Sequence, residues 1–133
     1  MAQWNMFAGW AGMFFGLISG SVIGLFFHQA DFAGGYGAFR RRLLRLGHIA
    51  FFGLGLINLA VAGHCGRLNF SPTARRRALA LINLGNIGLP PLLLAATWQP
   101  ALLYLMPAPV LCVFAALALT AAAAWRIQSP QTL

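Results

Sequence analysis

Polar breaks divide the chain into four apolar runs. The runs cover about residues 6–27, 46–63, 78–97 and 108–125, and each is close to the roughly 20 residues that a membrane-spanning helix needs. Within lipid every backbone amide has to be hydrogen-bonded internally, so runs of this length predict helices. The pattern therefore predicts one domain, an all-α integral membrane protein in which four transmembrane helices pack as a small bundle.

The composition agrees with a lipid environment. Hydrophobic residues make up 60% of the 133 residues and charged residues only 8%, against roughly 25% in a typical soluble domain. A soluble fold could not cover this much apolar surface with so few charges. The N-terminal sequence MAQWNMF has no basic segment, so we expect the first run to be retained and not cleaved as a signal peptide.

Glycine recurs at every fourth position of the first run, at Gly12, Gly16, Gly20 and Gly24. In water, a glycine inside a helix costs roughly 1 kcal/mol relative to alanine. In lipid, small residues instead allow two helices to approach closely. The spacing predicts a helix-packing face. The alternatives are a groove for a flat ligand such as haem or a quinone, or a groove for a lipid.

The charge is strongly one-sided, with nine arginines, no lysine, one acid at Asp31 and a net charge of +8. Basic clusters between apolar runs are typical of loops that contact anionic lipid headgroups, and an acidic partner subunit is the alternative. No nucleic-acid-binding motif accompanies them, so we expect no nucleic-acid partner. The clustered residues are Arg40, Arg41, Arg42 and Arg45 before the second run, and Arg67, Arg75, Arg76 and Arg77 before the third.

Four spans place both termini, Met1 and Leu133, on one side of the membrane. Arg126 and the second arginine cluster would share that side, and the first cluster would lie opposite. The two sides then carry nearly equal numbers of arginines, so the positive-inside rule does not decide the orientation.

Asparagines occur inside the second and third runs, at Asn58, Asn83 and Asn86. At 1.5 Å per residue they lie at similar depths, about 8–12 Å from the ends of those runs. An amide in hydrocarbon needs a partner, and these three can satisfy one another across adjacent helices. The alternative is a polar lining for a proton, a water molecule or a quinone headgroup.

His28, Asp31 and His48 belong to one membrane face, because the first two close the first helix and the third opens the second. Two imidazoles at one depth could ligate a haem b, and with Asp31 they could form a two-histidine, one-carboxylate metal site. The alternative is a set of ordinary interfacial residues. The pattern does not commit the chain to a cofactor.

A catalytic set is missing from the sequence. A single acid excludes a carboxylate pair, and no GxSxG, HExxH or phosphate-binding loop is present. Cys65 and Cys112 form no CxxC pair. We therefore expect no self-contained enzyme.

The segment RRRLLRLGHIAFFGLGLINL, residues 40–59, resembles a segment of short bacterial multi-span inner-membrane proteins that have no assigned activity. The resemblance implies a bacterial inner-membrane location and assigns no site residue.

Together these features predict a small, non-catalytic accessory subunit. It would pack with other membrane protein subunits and anionic lipids in a larger complex, such as a respiratory or photosynthetic one. One alternative is an electron-transfer membrane protein that binds haem b or a metal. The other is a small transport or channel subunit lined by the three asparagines.

Overall fold

The computed structural model describes residues 1–128 of the chain, and the side chains up to Arg126. Within that part the protein is all-α, and its four long helices are apolar enough to cross a membrane. The prediction of a four-helix, multi-pass membrane protein is therefore confirmed. The helices are α1 (Ala2–Leu25), α2 (Phe39–His64), α3 (Pro72–Ala95) and α4 (Pro107–Gln128), with short 3₁₀ helices at Phe32–Gly34 and Pro100–Leu105.

α2 and α3 begin earlier than the second and third apolar runs predict, because the helical backbone continues through the arginine clusters. α2 starts at Phe39, so the first cluster lies inside the helix. α3 starts at Pro72, after Ser71, whose hydroxyl accepts a hydrogen bond of 3.3 Å from the backbone N–H of Ala74. Proline is well suited to a first helical position because its missing N–H would have no helical partner there. Long arginine side chains allow the helix to continue while the charge leaves the apolar zone.

Consecutive helices pack side by side, α1 against α2, α2 against α3, and α3 against α4. α1 also contacts α3, so α3 is the central helix. One buried cluster joins α2, α3 and α4 near the start of α1, and its members are Val61, Ala62, Cys65, Leu79, Ile82 and Ala116. The start of α1 and the end of α2 thus lie at the same end of the bundle, and the second half of α4 lies there too, since Thr120 and Ala124 border the same groove as His64. Leu133, which the topology prediction also concerns, lies outside the described residues.

α4 lies at the edge of the bundle. Only 6% of the most apolar stretch of Pro100–Arg126 is buried, whereas 39% of the corresponding stretch of α3 is buried. Most of the surface of α4 therefore faces lipid or another protein.

Glycines allow the close approach of α1 to α2. A Cβ atom added at Gly9 would lie 2.6 Å from Leu59 Cγ, and one added at Gly16 would lie 3.2 Å from the backbone nitrogen of Phe52. Gly20 faces α2 in the same way, and Gly12 lies against both α2 and the side chain of Asn86 in α3. Helices that associate in lipid depend on this kind of close packing.

The predicted glycine packing face of α1 is wrong at its C-terminal end. Gly24 is exposed and has nothing within 4 Å of an added Cβ atom, whereas Gly9, which the fourfold spacing omits, is buried against α2. Four residues turn a helix by about 400°, so a strict step of four drifts by about 40° at each repeat. The step of three from Gly9 to Gly12 corrects that drift and keeps the stripe on one face.

Candidate functional site

Asparagine side chains link the first three helices. The Nδ2 of Asn5 donates to the Oδ1 of Asn58 at 2.9 Å and to the carbonyl oxygen of Leu79 at 2.7 Å. The Nδ2 of Asn58 donates in turn to the Oδ1 of Asn83 at 2.8 Å. Asn5 and Asn58 are almost completely buried. These bonds make Asn58 the central residue of a structural connection among α1, α2 and α3.

Asn5 is the member of this network that the sequence analysis missed. It lies just before the first predicted run, whereas α1 already begins at Ala2. Residues 5, 9, 12 and 16 share one face of a helix, and the buried residues of α1 include all four of them. Continuing the glycine stripe back toward the N-terminus would have identified Asn5.

Asn86 does not join the other asparagines. Its Nδ2 donates to the backbone carbonyl of Ala8 at 3.0 Å and so ties α3 to α1. Its Oδ1 is buried and has no hydrogen-bond partner, although the residue is only 2% exposed. Most buried polar atoms in proteins are hydrogen-bonded. The Oδ1 atom packs against Gly12, where an added Cβ atom would lie 3.1 Å from it, so this end of the Asn86 amide also lies between α3 and α1.

A half-open groove of about 340 Å³ lies beside Asn86, between α1 and α3. Small residues of α1 and aromatic side chains make up much of its lining, and Asn83 and Asn86 contribute amide side chains. None of the lining residues is charged. The lining consists of Trp4, Phe7, Ala8, Ala11, Gly12, Phe15, Phe51, Asn83, Asn86, Ile87 and Pro91.

α3 is a continuous helix through Pro90 and Pro91, both of which lie inside it. Proline has no backbone N–H, so the carbonyl of Ile87 has no helical donor four residues later. Ile87 and Pro91 both line the groove. The proline pair thus removes the ordinary helical partners of two backbone carbonyls, those of Asn86 and Ile87.

His48 is a helix–helix contact in this structure. Its Nδ1 lies 2.7 Å from the carbonyl oxygen of Gly16, and its ring occupies the space that a side chain at Gly20 would need. The absence of a side chain at Gly20 thus makes room for the imidazole of α2.

The structure places His48 at a different depth from His28 and Asp31, the three residues considered for a haem or metal site. His28 and Asp31 are exposed and follow the end of α1, so His28 lies about two helical turns beyond the level of Gly20 and His48. Among residues 1–128, no three histidine, cysteine or acidic side chains form a group that could hold a metal ion. The two imidazoles differ in depth because His48 lies well inside α2 and not at its start.

Arg41 is buried, contrary to the prediction that it faces lipid headgroups. It is 2% exposed, and its Nη2 donates to the carbonyl oxygen of Phe27 at 2.8 Å. Its Cζ lies 5.2 Å from the ring centre of Phe27, 5.3 Å from that of Tyr36 and 5.7 Å from that of Phe32. Arg41 therefore holds the α1–α2 loop against α2. Other clustered arginines, namely Arg40, Arg42, Arg75, Arg76 and Arg77, are exposed, and Arg45 is half-buried.

We expect Arg41→Ala to lower the free energy of unfolding by about 2–4 kcal/mol. The change removes hydrogen bonds from a charged donor and cation–π contacts inside the loop. Arg42→Ala is the matched control, because Arg42 is exposed and its Nε donates only to Gly37 in the same loop; its effect should stay below about 0.5 kcal/mol. Chemical unfolding of the purified protein in detergent micelles measures both. Equal effects of the two changes would contradict the structural role of Arg41.

Comparison with known proteins assigns no family to this chain. No family model matches it, and searches of curated proteins and of solved structures give no match either. The fold defines a four-helix, multi-pass membrane protein, and the groove between α1 and α3 is a largely apolar candidate site.

Proposed function

We propose that this chain is a small, non-catalytic accessory subunit of a larger complex in a bacterial inner membrane, such as a respiratory or photosynthetic complex. The observation that carries this proposal is the unpartnered outer surface of α4. The helix packs on α3 along one side, and only 6% of the residues in its most apolar stretch are fully buried.

Small residues are arranged on that surface as a partner helix would require. Ala115, Ala118 and Ala122 are exposed and share one side of α4, since residues spaced by three and four lie on the same helix face. We call these three residues the alanine face. Small side chains favour close packing between helices in lipid, so the alanine face suits a transmembrane helix of another subunit.

The polar residues of the membrane interior also support an accessory role over a channel. Asn58 has both its amide nitrogen and its oxygen bonded to neighbouring asparagines. An amide that is used in this way stabilises the bundle and is not free to line a conducting path.

Purification from native membranes in a mild detergent tests the proposal. We expect other membrane proteins to copurify with the tagged chain in fixed stoichiometry. Ala115→Phe combined with Ala122→Phe should abolish that copurification while leaving the chain folded, because the bulky rings would hold a partner helix away. Leu117→Phe is the matched control, since Leu117 is 39% exposed but lies about 100° or more around the helix from each residue of the alanine face.

Two results would overturn the accessory role. One is a chain that elutes alone from native membranes as a folded monomer. The other is copurification that survives the double change unaltered, because the alanine face would then not be the contact.

A further inference from the structure

A pocket of about 730 Å³ lies at the end of the bundle where α1 and α3 begin. Its lining joins two arginines to apolar side chains and includes Ala2, Phe70, Pro72, Arg75, Arg76 and Leu79. The apolar part borders the buried cluster that joins α2, α3 and α4, because Leu79 belongs to that cluster and Ala2 and Phe70 pack against it. The pocket therefore has a cationic part and an apolar part.

The arginines at this end of the bundle have no anionic partner among the described residues. Asp31, the only acidic side chain in the sequence, lies after the end of α1, at the opposite end of the bundle. Within residues 1–128, no hydrogen bond or cation–π contact is found for the exposed side chains of Arg67, Arg75, Arg76 and Arg77. Their charges therefore need anions from outside this part of the chain.

The arginines at the opposite end of the bundle are used differently. Arg41 and Arg42 donate to backbone carbonyls of the α1–α2 loop, and the Cζ of Arg45 lies 4.6 Å from the ring centre of Tyr36. These three side chains hold the loop in place. The arginines of the pocket have no such task in the fold, so they are available to an external anion.

The position of the pocket along α3 indicates the chemistry of that anion. Arg75 and Arg76 directly precede the third apolar run, whereas Leu79 lies inside it. The cationic part thus lies at the level of lipid headgroups and the apolar part at the level of the acyl chains. Guanidinium groups pair well with phosphate, and the positive end of the α3 dipole adds to the attraction. A free phosphate ion would leave the apolar part of the pocket uncovered.

We propose that this pocket is a specific site for one anionic phospholipid. Its phosphate pairs with Arg75 and Arg76, and an acyl chain follows Leu79 toward the bilayer interior. A volume of about 730 Å³ is within the range of small-molecule sites and accommodates the headgroup with the first part of a chain. The site is independent of the accessory role, because it lies at the start of α1 and α3 whereas the alanine face lies on α4.

Native mass spectrometry of the purified protein, released from detergent micelles, tests the proposal by counting bound lipids. The probes are dioleoylphosphatidylglycerol, dioleoylphosphatidylcholine with the same acyl chains, and inorganic phosphate. We expect the anionic lipid to saturate at one molecule per chain. The zwitterionic lipid should bind about tenfold or more weakly, because its choline cation would lie among unpaired arginines. An excess of inorganic phosphate should not displace the anionic lipid.

Three outcomes of this titration would overturn the assignment. The first is the absence of saturation by the anionic lipid. The second is equal affinity for the two lipids, which would remove the role of the arginines. The third is complete displacement by inorganic phosphate, which would make the pocket a site for a free anion.

Charge-matched variants locate the site. Arg75→Gln combined with Arg76→Gln should weaken binding of the anionic lipid by about tenfold or more. Arg67→Gln combined with Arg77→Gln is the matched control, since it removes the same charge from exposed residues near the same end that do not line the pocket; its effect should stay below about threefold. Equal weakening by the two pairs would mean diffuse attraction to the membrane surface and would overturn a specific site.

A change in the apolar part separates a lipid from a bare anion. Ala2→Phe fills that part and leaves both arginines in place, so binding of the anionic lipid should weaken by about fivefold or more. Gln3→Phe is the matched control, because Gln3 is exposed and is not part of the lining. Ala2→Val, a smaller change, replaces Ala2→Phe if that variant does not fold. Full affinity in the folded Ala2 variant would place the acyl chain outside the pocket and contradict the proposal.

Discussion

Replacing Gly16 with leucine will strongly destabilise the bundle. An added Cβ atom would lie 3.2 Å from the backbone nitrogen of Phe52 and 3.4 Å from its Cα. A backbone contact cannot be relieved by a rotamer change, so α1 has to move away from α2. Excess volume in a packed interior costs typically 1–3 kcal/mol, and we expect about 3 kcal/mol or more here because the hydrogen bond between the Gly16 carbonyl and His48 is disturbed as well.

Gly24→Leu is the matched control for this prediction. Gly24 belongs to the same fourfold series and is exposed, with open space where a side chain would begin. Leucine also favours a helix more than glycine does, so we expect no loss of stability. Thermal unfolding in detergent micelles, followed by circular dichroism, compares the two variants. A Gly16→Leu variant as stable as the Gly24→Leu variant would show that α1 does not pack on α2 through this stripe.

Asn58→Leu will lower the free energy of unfolding by about 2–3 kcal/mol. The change removes hydrogen bonds to both Asn5 and Asn83, and interhelical hydrogen bonds in membranes contribute about 0.6–2 kcal/mol each. Leucine has nearly the same size, so the loss reports the polar contacts and not a cavity. Unfolding in mixed detergent micelles measures it, with Asn69→Leu at an exposed position as the control.

A double variant separates the two partners of Asn58. Asn58→Leu combined with Asn83→Leu should cost less than the sum of the single changes, because no unpaired oxygen is left at Asn83. Strictly additive losses would mean that the two amides do not interact.

The sequence alone was sufficient for the number and type of the elements. In lipid each helix has to satisfy its own backbone hydrogen bonds, so the length of an apolar run is a local property that predicts a spanning helix. The depth of a residue in the membrane also follows from its position along its own run. The sequence therefore predicted that Asn58 and Asn83 lie at similar depths. Residue type also indicated that the glycines of α1 serve close helix packing, because small residues allow two helices to approach closely in lipid.

Only the tertiary structure decided which faces meet. The glycine stripe extends toward Gly9 and not Gly24 because α2 approaches only part of α1. His48 pairs with the backbone of Gly16, and Arg41 is buried because the α1–α2 loop folds over it. The groove beside Asn86 likewise requires the separation of α1 and α3. These features depend on the register and distance between helices, which result from the packing of all side chains at once and are not encoded in any single run of residues.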